Sequence, residues 1–490
     1  MTQADEIAGQ MSRTEWSVTL SRFAPLLMLV YLGVQLGSRL AAPGGLGLDE
    51  AEQMVTTQSL ELGYGPQPPL YTWLQMAVFQ VTGEGKLGLA LFKHGCLAAI
   101  YLGIWVLARQ SGANRMTAAA AMFGTMFLPS VVWEAQRALT HSVLATALAV
   151  WSLVAVTRAA RTGALPDFCL AGVLVGLGLM SKWTFGLVLL GVLAAVLLTP
   201  ALRTRKSLIA LAIALVIIAA PAFWAIQNWS LTTASSHKLE LQSHGGFQAV
   251  GAALSSLGEA LASTALVALV VFLAVFRTGP ATGERPAPGL QPAEAVLIFG
   301  ILGVAAVMLL SGATSVKERW MQPIMIFLPL VLSLRLASRI TASRMRWFLC
   351  VTAFVAVGVS VAYPLNLRRG QNNPSYQSAP FAAAAQALDL RGGLLLVSDA
   401  FLAGNLRYIR PDLAVLTPEL PKLRVAADTP SAVVWWARDA KDAPAPQDLR
   451  DFAADRAGVQ DLDAPKAVSL PYPAPHEDRT FNLFQVEVPS

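Results

Sequence analysis

Four carboxylates, Asp49, Glu50, Glu52 and Glu61, stand close together in GLDEAEQMVTTQSLELGYGPQPPLYTWL, residues 47–74, just beyond a long apolar run. Asp49, Glu52 and Thr56 fall at i, i+3 and i+7, so a helix over Asp49 to Leu62 puts them on one face. Carboxylates grouped there can take or hold a proton. One at the helix start can equally cap free N–H groups. GYGPQPP then forces a turn, and Pro68 and Pro69 suit the first turn of a second helix. Tyr71, Trp73 and Phe79 suit a membrane interface.

Further candidates lie along the chain. Lys93, in ALFKHGC, sits inside an apolar run, where a charge either serves function or snorkels to the surface. Lys182 is the only charge in GLGLMSKWTFGL and reads as a tight turn at the membrane edge. Arg319 follows in KERWMQPIM, beside Lys317, which reads as a solvated loop charge. In WEAQRALTHSV, Glu134, Arg137 and His141 are spaced as one polar helical stripe. Its bland alternative is an intrahelical Glu134–Arg137 pair worth about 0.2–0.5 kcal/mol. His237 and His244 fit no standard zinc spacing, and Cys96, Cys169 and Cys350 read as small buried hydrophobes.

The elements that must carry these residues are membrane spans. The 490-residue chain is 55% hydrophobic and 13% charged, against roughly 25% charged for soluble domains. Its net charge of +6 comes from short basic clusters between apolar runs and is no nucleic-acid signature. About eleven spans are expected, near residues 22–40, 87–108, 116–133, 139–157, 167–181, 183–201, 207–226, 260–276, 294–311, 320–338 and 346–363. Met1–Glu15 is polar, so the first run reads as an uncleaved span. Loops with Arg13 and Arg22, Arg109 and Arg115, Arg158 and Arg161, and Arg203, Arg205 and Lys206 belong in the cytoplasm. The N-terminus is then cytoplasmic, and 41–86 and the tail lie outside. The tail differs in composition: GGLLLVSD, DLAVLTP, SAVVWWAR and TFNLFQVEV read as strands and QDLRDFAADRAG as a helix. The expected division is a membrane domain over 1–363, with outer-surface helices in 41–86, and a small soluble α/β domain over 364–490.

An acidic pair after the first span, a helix, and then GY…PPL…WL resembles the polyprenol-phosphate-sugar-dependent glycosyltransferases of the GT-C superfamily. The likeness is greatest to bacterial glycosyltransferase family 39 (protein mannosyltransferase-like) and the lipid A aminoarabinose transferases. GLGLMSKWTFGLVLL and KERWMQPIMIFLPL resemble two further segments of that family, and the likeness spans roughly residues 20–340. It implies a multi-span enzyme of the bacterial inner membrane, working on the periplasmic side. Such an enzyme moves a sugar from a polyprenyl-phosphate donor to a lipid, glycan or protein acceptor, usually with inversion. Asp49 is by resemblance the catalytic carboxylate. Glu50, Glu52, Gln67, Lys93, Glu134, Arg137, His141, Lys182 and Arg319 are candidates for binding substrate, the cations serving the leaving phosphate. Many relatives carry Asp near His141, which leaves Glu134 as a substitute acid. Relatives often have His or Lys where Gln67 stands, although a neutral amide still donates hydrogen bonds. The resemblance requires no cofactor and assigns no metal site; some members use a divalent metal, to which Asp49 and Glu52 could contribute. The competing readings are a transporter or flippase for a lipid-linked sugar, and a membrane-anchored interaction protein. Polar residues gathered on one side, with no visible internal repeat, favour the enzyme.

Overall fold

The structure, a computed structural model, describes residues 16–234, 247–278 and 290–488, apart from 43, 371–372, 389, 391, 428, 460 and 463. Met1–Glu15, Arg13, His237, His244 and the rest of the loop around these histidines lie outside the described residues. Among the described residues seven helices are long and apolar enough to cross a membrane: Ala24–Ala41, Lys86–Gln110, Thr140–Thr162, Arg205–Gln227, Gln248–Phe276, Pro292–Ser311 and Ala342–Arg369. The remaining four expected spans take other forms. Arg115–Phe127 and Ser130–Arg137 form one span bent by 73°. The bend falls where Pro129 forces Leu128 into extended backbone (φ −95°, ψ 108°). Leu165–Ser181 and Phe185–Leu198 are shorter apolar helices, joined at Lys182 by the expected turn, which Phe185 N–H closes onto Lys182 O at 2.9 Å. Residues 320–338 are not one span but two eight-residue helices, Glu318–Met325 and Leu328–Arg335. Pro329 at the start of the second helix suits a fresh helical start.

The chain divides into two compact units, Met1–Gln35 with Lys93–Val359, and Leu36–Phe92 with Ser360–Ser490. In the first unit the helices exclude lipid from one another by close backbone approach. A Cβ on Gly172 would lie 2.3 Å from Ala210 O, so the Leu165–Ser181 and Arg205–Gln227 helices touch through small residues. Leu215, Val216, Phe223 and Leu310 are exposed, as lipid-facing side chains are. Cys96 is buried, while Cys350 is exposed.

The second unit joins the loop after the first span to the tail, a division different from a cut at residue 363. Its sheet contains β1 (Gly393–Val397), β2 (Leu413–Leu416), β3 (Pro430–Arg438), β4 (Lys466–Pro471) and β5 (Thr480–Glu487), in the order β2-β1-β3-β5-β4. β1 lies parallel to β2 and β3; β5 runs antiparallel to β3 and β4. Leu394 to Val397 are fully buried, as parallel strands covered on both faces require. The strands expected from the tail are all present. β4 and the Ala400–Ile409 helix are additional.

In the loop, the helix covers Leu48–Thr56 and stops short of the expected Leu62. The chain leaves it to serve the sheet edge. Gln58 Nε2 donates to Val415 O at 3.0 Å, and Gln58 Oε1 accepts Val415 N–H at 3.0 Å, so one amide pairs with β2 as a strand would. Asn405 does the reverse: its Oδ1 accepts Leu46 N–H at 2.7 Å and its Nδ2 donates to Leu46 O. Gly404 lets the Ala400–Ile409 and Leu48–Thr56 helices meet, since a Cβ there would fall 2.0 Å from Ala51 O. The second loop helix, Leu70–Thr82, begins directly after Pro69 as expected.

Candidate active site

Each unit holds its own candidate residues. In the second unit, Gly47 precedes the acid-bearing helix as its N-cap, and Asp49 and Glu50 lie in its first turn. The capping bond is made by Glu50, whose Oε2 accepts Gly47 N–H at 3.0 Å. Arg39 also grips Glu50, with Nε to Oε1 at 3.0 Å and Nη2 to Oε2 at 2.5 Å. Arg39 is 2% exposed and Glu50 3%, so this is a buried bidentate pair. Both oxygens of Glu50 are engaged within the fold. Asp49 and Glu52 are half-buried on the same helix. Behind them Gln53, Thr56 and Thr72 form a buried polar layer, with Thr72 Oγ1 3.3 Å from Gln53 Oε1 and 3.4 Å from Thr56 Oγ1.

Gln67 closes a tight turn: Tyr64 N–H donates to Gln67 O at 2.9 Å and Gln67 N–H to Tyr64 O at 3.1 Å. Gly65 supplies the positive φ of +57° that this turn needs. Tyr64 anchors it by donating its hydroxyl to Ser59 O at 2.7 Å, and burial pushes that phenol up to about 12. The Gln67 side chain stays half-buried, while its backbone does the structural work.

In the first unit, Lys93 is 1% exposed and donates to Gln136 O at 3.4 Å. It does not snorkel. Gln136 is itself held by Tyr31 Oη at 3.0 Å and Val132 O at 2.9 Å. The stripe expected across Glu134, Arg137 and His141 is broken. The helix ends at Arg137, Leu139 takes a left-handed φ of 67°, and a new helix starts at Thr140. A left-handed conformation is costly for leucine, about 1–3 kcal/mol, and persists only where packing imposes it. Glu134 and Arg137 pair at 2.8 Å with side chains 28% and 43% exposed, the bland reading of that motif. His141 is 5% exposed in the first turn of the next helix. Beside it, Ser142 accepts a 2.5 Å bond from Lys182 Nζ, bringing the Lys182 turn to the start of the His141 helix. Arg319 is half-buried on Glu318–Met325, and Lys317 is exposed as expected.

Arg39 and Ser142 did not stand out in the sequence. Arg39 had a usable signal, a charge in the last turn of an apolar span, which calls for a partner. Ser142 had none. No group of three metal-capable His, Cys, Asp or Glu side chains occurs among the described residues. A cavity of about 760 Å3 in the second unit, walled by Gly44, Phe381, Tyr408, Tyr472 and Glu477 among others, includes none of the candidates.

Broken spans, an acid-bearing first loop and a small α/β tail define a GT-C type membrane protein, and solved structures share this fold. ArnT from Cupriavidus metallidurans, solved bound to undecaprenyl phosphate, matches with a TM-score of 0.59 at 14% identity, covering 94% of this chain and 97% of that one. The family described as dolichyl-phosphate-mannose-protein mannosyltransferase matches residues 66–224. The lipopolysaccharide core galacturonosyltransferase RgtB of Rhizobium johnstonii is 30% identical over 469 residues, 91% of this chain and 93% of the relative. RgtA of the same organism, also a core galacturonosyltransferase, is 31% identical over 477 residues, 92% and 94% of the two chains. The chain belongs to the family of these membrane glycosyltransferases, within the GT-C superfamily, and is a multi-pass membrane enzyme.

Proposed function

We propose that this enzyme transfers a galacturonic acid-type sugar from a polyprenyl-phosphate donor to the glycan core of an envelope lipid, on the periplasmic face of the bacterial inner membrane, inverting the anomeric centre. The observation that carries the sugar and acceptor is the likeness of more than nine-tenths of the chain to two core galacturonosyltransferases. The acceptor hydroxyl oxygen attacks the anomeric carbon. The carbon–oxygen bond to phosphate breaks, the lipid phosphate leaves with the electron pair, and Asp49 receives the hydroxyl proton. Glu50 takes the cap and the ion pair beside it, so the fold already accounts for that neighbour and Asp49 remains the favoured base. Lys93, Lys182 and Arg319 meet the charge of the leaving phosphate. His141, Glu52 and Gln67 serve as hydrogen-bonding contacts to substrate. The distribution of Lys and Arg supports a cytoplasmic N-terminus.

The test compares wild type with Asp49→Asn, at matched expression, for transfer from polyprenyl-phosphate galacturonate to core lipopolysaccharide. Loss of about 100-fold or more in rate is expected, and a chelator is expected to leave the wild-type rate unchanged. Full activity in the variant would remove Asp49 from the mechanism. Transfer only from a different sugar donor would overturn the sugar.

A further inference from the structure

Gln322 is 0% exposed, yet neither its Oε1 nor its Nε2 has a hydrogen-bond partner. Buried side-chain amides are ordinarily paired, and leaving one unpaired in an apolar interior costs free energy. The Glu318–Met325 helix packs against the Thr140–Thr162, Phe247–Phe276, Pro292–Ser311 and Phe185–Leu198 helices and against Ser130–Glu134. Ile324 faces Pro292–Ser311, where it meets Gly300. Gln322, two residues earlier, therefore sits on the opposite side, with Arg319 one turn before it on the same face. Two more unpaired buried atoms belong to the Lys182 turn: Trp183 Nε1 and Thr184 Oγ1. Thr184 is the N-cap of Phe185–Leu198.

The chemistry of these atoms selects a ligand. A phosphate or carboxylate only accepts hydrogen bonds, so it would satisfy Gln322 Nε2 and leave Oε1 bare. A sugar hydroxyl both donates and accepts, and so matches an amide with both ends open; Thr184 has the same double demand, while Trp183 requires an acceptor oxygen. We propose that Gln322, assisted by Trp183 and Thr184, binds the hydroxyl groups of the transferred sugar and sets donor specificity, while the nearby cations hold the phosphate. This deepens the proposed function and rests on it.

The test is equilibrium binding to the full chain in detergent, using polyprenyl phosphate and polyprenyl-phosphate galacturonate as probes. Wild type should prefer the sugar-bearing lipid. Gln322→Met, which keeps the side chain's size, should bind bare polyprenyl phosphate as wild type does and lose the preference by about 10- to 100-fold. Its thermal unfolding midpoint should equal or exceed wild type, since a costly unpaired amide is gone. Thr184→Val should weaken the preference less, again without changing affinity for the bare lipid. A wild type that binds both lipids alike, or a Gln322→Met that keeps the preference, overturns the inference and leaves the proposed function standing. Failure of wild type to bind either lipid overturns both.

Discussion

The Leu48–Thr56 and Glu318–Met325 helices, one from each unit, are nine and eight residues long, and each bears a charged candidate. They treat buried polar groups in opposite ways. In the first, Glu50 is held by Arg39 and Gly47, Gln53 is hydrogen-bonded by Thr72, and Thr57 donates to Gln53 O at 2.6 Å. In the second, Gln322 is just as buried and both ends of its amide are bare. Burial alone therefore does not mark function. A paired buried group such as Glu50 fixes the helix that carries Asp49; an unpaired one such as Gln322 is the premise of the sugar-binding proposal.

The largest way to break this contrast is to unpair the scaffold. Arg39→Met strands the Glu50 carboxylate in a buried site and should cost about 3–5 kcal/mol, read as a lower unfolding midpoint in detergent. Adding Glu50→Met removes the stranded charge and should recover most of that stability. Transfer should stay low, because the Gly47 cap is gone. A stable, fully active Arg39→Met would dissolve the claim that the pair positions Asp49.

A smaller effect is expected at the contact between the acid-bearing helix and the tail. Gly404→Val drives a side chain into the Ala51 backbone and should cost about 1–3 kcal/mol by overpacking. The turnover number should fall more than substrate affinity, since the displaced helix carries Asp49. Equal activity per folded molecule would mean that the tail only adds mass. Smaller still is Glu134→Gln. It disrupts an exposed pair worth about 0.2–0.5 kcal/mol, so both stability and transfer should stay close to wild type. A rate loss above tenfold would restore Glu134 as a second acid.

What the sequence disclosed follows physical range. Apolar run length showed where chain crosses the membrane, and Pro68–Pro69 showed where the second loop helix starts. Short apolar runs such as LLLV and VVWW pointed to β1, β2, β3 and β5. β4 was hidden because Lys466–Pro471 is a half-exposed edge strand with a weak apolar pattern. The union of loop and tail was invisible: Leu46 and Asn405 lie 359 positions apart, Gln58 and Val415 357. The stripe over Glu134–His141 failed because nothing in its composition announces a left-handed Leu139. Whether a glutamine is paired is likewise a three-dimensional fact, so Gln322 read as an ordinary member of an apolar segment.

The smallest prediction sets the buried Arg39–Glu50 pair against an exposed one. Asp439, in left-handed backbone at φ 61°, accepts Thr480 N–H at 2.9 Å through Oδ1 and the Arg479 guanidinium through Oδ2. Burial pushes its carboxyl up, but the Thr480 N–H and Arg479 outweigh this and hold it below the usual value. A carboxylate lowered on folding adds stability above its unfolded pKa, about 3.9. That increment is lost as pH falls through the lower folded value. Asp439→Asn keeps a residue that tolerates positive φ and keeps an acceptor for Thr480, so it removes the charge alone. The unfolding midpoint of Asp439→Asn should lie slightly below wild type at pH 7, and the gap should close as pH drops below about 4. Salt should close it too, because the pair is exposed to screening. If the gap ignores both pH and salt, charge is not what Asp439 contributes, and the contrast between buried and exposed pairs then rests on Arg39–Glu50 alone.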